Sequence, residues 1–237
     1  MKIYVDGCSY TYGGELKDPE KTRYSTLLGN KIGAEVCNVA QGGASNARIV
    51  RNLLVENDIT KYDLAIIQLT FPERLEYYDP HRIRKLKNNE FEYKPGLIMV
   101  GKKKGWTNIT IHSATDESFD WENGDFGDVK IGEELRKGVR PINKQFWTQY
   151  YKSIYQEEYG RAYEQIAYTT IKNHCKINNV PLALLTCDDS TPLEYTLQLN
   201  NDKRYAKAKY KHPNELGHMR IALDLMFIIK TAKMFKN

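Results

Sequence analysis

Four short apolar runs punctuate the chain. Ile3-Tyr4-Val5 is β-favouring and stops at Asp6-Gly7; Glu35 to Val39 is a second such run. Leu64-Ala65-Ile66-Ile67-Gln68-Leu69 is nearly continuous in apolar residues, the signature of a strand buried on both faces in a parallel sheet, and Pro72 ends it. Pro181 to Thr186 is the fourth. Between them the period changes to that of a helix. Tyr24, Leu27, Leu28 and Ile32 predict a helix over 22–32, stopped by Gly33, and Ile49, Leu53 and Leu54 predict one over 44–54. A long helix is expected over 144–178, bent or broken at Gly160. A final helix is expected from Pro213 to about residue 233, with Leu216, Met219, Ala222, Leu223, Met226 and Ile229 as its apolar stripe.

Strands alternating with helices predict a three-layer α/β/α domain with a mostly parallel sheet. The stretch 76–141 breaks the pattern. It is rich in Lys, Asn, Gly and Asp and lacks a sustained period, so it reads as an insertion within a single domain covering 1–237. Within it, FEYKPGLIMV resembles a hairpin and WTNITIH a strand.

Composition narrows the class. Hydrophobic residues make up 41% of 237, enough for a sizeable core, and the formal charge of +5 is spread among interspersed acids and bases. That balance gives little reason to expect a nucleic-acid partner. Cys8, Cys37, Cys175 and Cys187 show neither C-x-x-C nor zinc spacing, so reduced cysteines, a cytoplasmic setting and no metal or organic cofactor are expected. No signal-peptide pattern or membrane-spanning run is visible, so no membrane partner is expected. The composition leaves oligomeric state open.

In open α/β sheets the chemistry sits beyond the carboxyl ends of the strands. Those ends are Gly7-Cys8-Ser9, Gln41-Gly42-Gly43, Thr70-Phe71-Pro72 and Asp188-Asp189. Ser9 follows a turn glycine and can serve as a nucleophile, with its own N–H directed at a developing oxyanion. Gly43 can bring a second N–H. His212, far away in sequence, can serve as base. Cys8 is the rival nucleophile, but its side chain is expected to alternate away from that of Ser9 and face the core. Gly42-Gly43 lacks the spacing of a dinucleotide fingerprint. Lys102-Lys103-Lys104 beside Trp106 reads as a solvated loop, and the aromatics over 146–159 as core or dimer surface.

Three blocks resemble the SGNH, or GDSL-like, hydrolase family. They are Gly7-Cys8-Ser9-Tyr10-Thr11-Tyr12-Gly13, with cysteine where that family usually has aspartate, then Asn38 to Asn46, then His212-Pro213-Asn214-Glu215-Leu216-Gly217-His218. The resemblance implies a flavodoxin-like SGNH fold and hydrolysis of an ester, with acyl groups on carbohydrate among the substrates. It casts Ser9 as nucleophile, His212 as base, and the N–H groups of Ser9 and Gly43 as oxyanion hole. Arg74 and Asn46 are candidate substrate-binding residues. Two positions depart from the family's pattern. The third strand ends Gln68-Leu69-Thr70 without the usual asparagine, leaving Thr70 or Gln68 as donor. Lys209 stands where an aspartate precedes the histidine. Asp188, Asp189, Asp202 or a backbone carbonyl are the open choices for holding the imidazole. These departures motivate an alternative: a non-catalytic member of the same fold that binds a glycan or a protein partner.

Overall fold

The structure, a computed structural model, describes residues 1–78, 83–85, 91–93, 106–109, 144–188, 193–200, 204–209 and 212–232. Its strands are β1 (Lys2–Asp6), β2 (Glu35–Asn38), β3 (Leu64–Leu69), β4 (Leu75–Tyr78), β5 (Ile83–Lys85), β6 (Phe91–Tyr93), β7 (Trp106–Ile109), β8 (Leu182–Thr186) and β9 (Leu197–Gln198). Five of them form the main sheet in the order β2-β1-β3-β8-β9, every neighbouring pair parallel. Tyr4 lies opposite Ala65, and Ile66 opposite Ala183. The order reverses at β1, between β2 and β3, which is where such sheets open a crevice at their carboxyl ends.

The helices are α1 (Ser9–Tyr12), α2 (Pro19–Thr22), α3 (Tyr24–Ile32), α4 (Asn46–Arg51), α5 (Lys144–Ser153), α6 (Glu157–Ile177) and α7 (Glu215–Thr231). The period-two alternation of the strands sorts them into two layers. Ile3, Val5, Leu64, Ile66, Ala183 and Leu185 pack with Tyr24 and Leu28 of α3 and with Ile221, Leu225 and Ile229 of α7. Tyr4, Ala65, Ile67, Leu69 and Leu184 face the other way, onto Ile49 of α4 and Ala167, Tyr168 and Ile171 of α6. Sheet and two helical faces make the expected three-layer α/β/α fold. Among the described residues no helix is long and apolar enough to cross a membrane.

Several elements differ from the periodicity. The helix expected over 44–54 is regular only to Arg51 and widens into a π turn over Asn52–Glu56. The long helix over 144–178 is two helices, parted at 154–156 where the N–H groups of Ile154 and Tyr155 both return to the Tyr150 carbonyl. Gly160 is not the break. It lies in the first turn of α6, where an added Cβ would stand 3.0 Å from the Pro72 carbonyl oxygen, so it permits close packing. The stripe on α7 holds at Ala222 and Ile229, which are buried as expected, but Leu216 and Met219 are 63% and 44% exposed, while Gly217, His218, Ile221 and Leu225 turn inward. β9 is a two-residue strand that no periodicity announces. Phe91–Tyr93 pairs antiparallel with the upstream Ile83–Lys85, and β4 pairs antiparallel with β7. The remainder of 76–141, including the Lys102–Lys104 run, lies outside the described residues.

Candidate active site

β1 ends at Asp6, a fully buried carboxylate. It accepts from the Gly7 N–H at 2.7 Å, from Arg48 Nη1 at 3.0 Å and from Asn52 Nδ2 at 3.1 Å. These bonds fix where the chain leaves the sheet. Gly7 is dictated by crowding, because a Cβ there would meet Gln68 Oε1 and Thr11 Oγ1 at 2.7 Å. Gln68 Oε1 accepts from the Cys8 N–H at 3.0 Å and from the Thr11 hydroxyl at 2.9 Å. The Gln68 side chain thus braces the turn from beneath.

Cys8 and Ser9 then diverge as expected. Cys8 is fully buried and joins the core, whereas Ser9 keeps partial exposure at the start of α1. The four-residue helix closes on Gly13 at φ 96°, and the chain continues through Gly14 to Glu15 at φ 66°. The left-handed region is costly for a residue with a Cβ, and such backbone concentrates at functional sites. Here it turns Glu15 back beside α1.

His212 enters from the opposite end of the sequence. The segment before α7 is pinned by the Ala208 N–H on the His212 carbonyl at 2.8 Å, and Asn214 caps α7 by accepting from the Gly217 N–H at 3.1 Å. His212 Nε2 lies 2.8 Å from Ser9 Oγ. On its other side Nδ1 lies 2.9 Å from Glu15 Oε2, which also accepts from the His212 backbone N–H at 3.2 Å. The Tyr10 ring flanks the imidazole at 5.1 Å, and Lys207 Nζ sits 5.3 Å from the centre of the Tyr10 ring. Serine, histidine and carboxylate therefore stand in one line, with His212 within hydrogen-bonding distance of Ser9 on one side and of Glu15 on the other.

Glu15 is the residue that the sequence reading did not find. Lys209, at the family's acid position, is exposed. Asp188 is tied to Arg161 and to the Thr186 hydroxyl. Asp189 and Asp202 lie outside the described residues. A carbonyl is not what faces Nδ1. The available signal was local: an acid directly after Gly13-Gly14, where paired glycines let the chain double back.

The other candidates are placed as follows. Gly43 follows β2 in a turn at φ 67°. Asn46 donates Nδ2 to the Thr70 carbonyl at 3.0 Å and accepts from the Thr70 N–H at 2.8 Å, so its amide splices the start of α4 to the end of β3. The Thr70 side chain is fully buried, with Oγ1 3.8 Å from Cys187 Sγ. Gln68 is committed beneath the turn. Glu76 pairs with Arg51. The Arg74 guanidinium lies 5.0 Å from the centre of the Phe71 ring, with Nε and Nη1 buried. His218 is fully buried. Its Nδ1 accepts from the Tyr24 N–H at 3.1 Å, and burial, with His212 and Lys207 nearby, pushes its pKa down to about 4. It is a neutral core histidine that fixes α7 to α3. No group of metal-binding side chains occurs among the described residues.

No protein-family model matches the chain, and no curated protein matches it. Solved structures overlap it loosely. A protein from Desulfitobacterium hafniense DCB-2 described as lipolytic and of the G-D-S-L family is 11% identical, with a TM-score of 0.36 over 96% of this chain and 98% of that one. A family two carbohydrate esterase from Clostridium thermocellum is 13% identical, with a TM-score of 0.38 over 98% of this chain and 64% of that one. An acetyl xylan esterase from Butyrivibrio proteoclasticus is 12% identical, with a TM-score of 0.37 over 99% of this chain and 65% of that one. Overlaps this loose leave the chemistry to be read from the residues themselves.

Proposed function

We propose that the chain is a serine ester hydrolase with Ser9 as nucleophile, His212 as general base and Glu15 as the carboxylate that orients it. The observation that carries this reading is the continuous line Ser9 Oγ, His212 Nε2, His212 Nδ1, Glu15 Oε2, with steps of 2.8 and 2.9 Å across the ring. Glu15 fixes the tautomer that keeps the proton on Nδ1 and leaves Nε2 free to accept the serine proton. Ser9 Oγ attacks the ester carbonyl as Nε2 takes its proton. The imidazolium formed is stabilised by Glu15, and its Nε2 proton passes to the departing alcohol. Water, deprotonated by the same imidazole, then releases the acyl group from Ser9.

The Ser9 N–H, at the first position of α1 and so without a partner inside that helix, is one oxyanion donor. Gly43 N–H is the second. The Thr70 hydroxyl is fully buried, where it accepts from the Cys187 thiol, and Asn46 spends its amide on the Thr70 backbone, so neither is cast as a donor. Short acyl groups on carbohydrate are the substrates to assay first, on the resemblance of the three sequence blocks. The non-catalytic alternative had two motives, a missing acid and a missing asparagine. Glu15 removes the first.

Turnover of a short-chain aryl ester by wild type, Ser9→Ala and His212→Ala tests the proposal, together with labelling by a serine-directed phosphonate. Loss of turnover in both variants and loss of labelling in Ser9→Ala are expected. Equal rates in wild type and Ser9→Ala, or a label on another residue, would sink it.

A further inference from the structure

The two proposed oxyanion donors sit on separate turns. Ser9 lies two residues past Gly7, on the turn after β1, and Gly43 lies two residues past Gln41, on the turn after β2. Backbone bonds set part of their spacing. The Gln41 N–H donates to the Gly7 carbonyl at 3.1 Å, and the Ala44 N–H closes the second turn on the Gln41 carbonyl at 3.2 Å. A single bond from one turn to the other fixes a point but not an angle, and the adjacent Gly42-Gly43 pair adds backbone freedom.

Arg48 supplies the rest. It comes from the first turn of α4, is 4% exposed, and spends each guanidinium nitrogen on a different stretch of chain. Nη1 donates to Asp6 Oδ1 at 3.0 Å, Nη2 to the Val39 carbonyl at 2.7 Å and Nε to Gln41 Oε1 at 3.1 Å. Asp6 Oδ1 also accepts the Gly7 N–H at 2.7 Å. A continuous path therefore runs from Gly7 through Asp6 and Arg48 to Gln41. The path is itself held. Asp6 Oδ2 accepts from Asn52 Nδ2 at 3.1 Å and from the Tyr4 hydroxyl at 3.3 Å. Arg48 and Asn52, four residues apart on one helical face, both end on this carboxylate. Ser45 Oγ caps their helix by accepting the Arg48 N–H at 3.2 Å, and Asn46 ties it to the end of β3. The planar arginine fork presents its donors in fixed, divergent directions, which the point-like ammonium of a lysine does not.

We infer that Arg48 is a positioning residue: by holding Val39 and Gln41 against Asp6 it sets the spacing of the two turns, and with it that of the Ser9 and Gly43 N–H groups. The placement of the turns is independent of hydrolysis; its bearing on catalysis rests on the proposed function. An oxyanion hole acts only if its donors stand in place before charge develops. A small displacement of one donor therefore weakens the transition state and leaves ground-state binding nearly untouched. Arg48 exerts this effect from within the core, through the backbone of both turns.

Two variants weaken the bridge at different points. Arg48→Lys keeps a cation opposite Asp6 and gives up Val39 and Gln41. Gln41→Met changes a half-buried side chain of similar length and removes the acceptor of Nε. Arg51→Lys, on the same helix but paired with Glu56 and Glu76, is the control. In amide NMR spectra of isotope-labelled protein the Gly43 N–H resonance is expected to move in Arg48→Lys and Gln41→Met and to stay in Arg51→Lys. With a short-chain aryl ester, kcat is expected to fall about tenfold in Arg48→Lys and less in Gln41→Met, with KM within about a factor of two. A Gly43 resonance that stays in place, a rise in KM with kcat unchanged, or an equal fall in Arg51→Lys overturns the inference. If Arg48→Lys fails to fold, Gln41→Met carries the same readings. A wild type without turnover whose Gly43 resonance moves in the variants removes the hydrolase reading alone. Turnover indifferent to both variants removes this inference alone.

Discussion

Glu15 holds His212 twice. One carboxylate oxygen, Oε2, lies 2.9 Å from the ring Nδ1 and accepts the backbone N–H of the same residue at 3.2 Å. The carboxylate thus orients both the imidazole and the main chain that carries it. Replacing Glu15 with Gln keeps an acceptor for the backbone N–H but offers an amide that can drive the ring into the wrong tautomer. The expected outcome is a fall in kcat for an aryl ester of roughly 10²–10⁴-fold with KM little changed. Steady-state kinetics checks it, and a rate within a factor of two of wild type would remove Glu15 from the line.

Gly14 is the thin point between Ser9 and His212. A Cβ there would lie 3.3 Å from Ser9 Cβ and from the Ser9 carbonyl oxygen, and 3.4 Å from His212 Cδ2. Gly14→Ala is expected to wedge the pair apart and lower kcat by about tenfold, because a displacement of a fraction of an ångström is costly in a near-attack geometry. Thermal unfolding should move little, which separates misalignment from misfolding.

Asn46 is expected to matter for stability first. Its side chain makes two bonds to the Thr70 backbone, and it is nearly fully buried. Asn46→Ala leaves the buried Thr70 N–H and carbonyl unpaired and should cost about 2–4 kcal/mol in urea unfolding. Asn46→Asp, which can accept but not donate, should fall between Ala and wild type.

His218 gives the fold a pH dependence of known sign. It is a base whose pKa falls from 6.5 to about 4 on folding, chiefly through burial, so the unfolded chain binds the extra proton first. Stability is full above pH 6.5 and declines as the pH drops towards 4, by up to roughly 3 kcal/mol. Urea midpoints at pH 7.5 and pH 5 should diverge in wild type. They should diverge less in His218→Gln, whose amide oxygen can still accept the Tyr24 N–H.

The layers of the fold were legible because the strands are short, apolar and separated by helical periods, and the sheet needs nothing else to be specified. Ser9 and His212 were legible because each stands at an abrupt boundary, one after a strand and one before a helix-starting proline. Glu15 was not. Its role depends on two left-handed backbone conformations, at Gly13 and at Glu15 itself, and only the first is advertised by the residue type. The first turn of the α7 stripe was misread because Gly217 and His218, not apolar by type, pack inward there together with Ile221 and Leu225, leaving the apolar Leu216 and Met219 outside. The fate of the Thr70 hydroxyl was hidden for a related reason: its partner, Cys187, is far away in sequence and weakly polar.

The line proposed for catalysis joins Ser9 and Glu15 to a histidine at position 212. On that proposal the nucleophile and its supporting carboxylate are synthesised long before their base, which comes with the segment before α7. A chain interrupted between Glu15 and His212 would carry the nucleophile turn without its base, so on the proposed function ester turnover in a cell extract would count only chains made past residue 212.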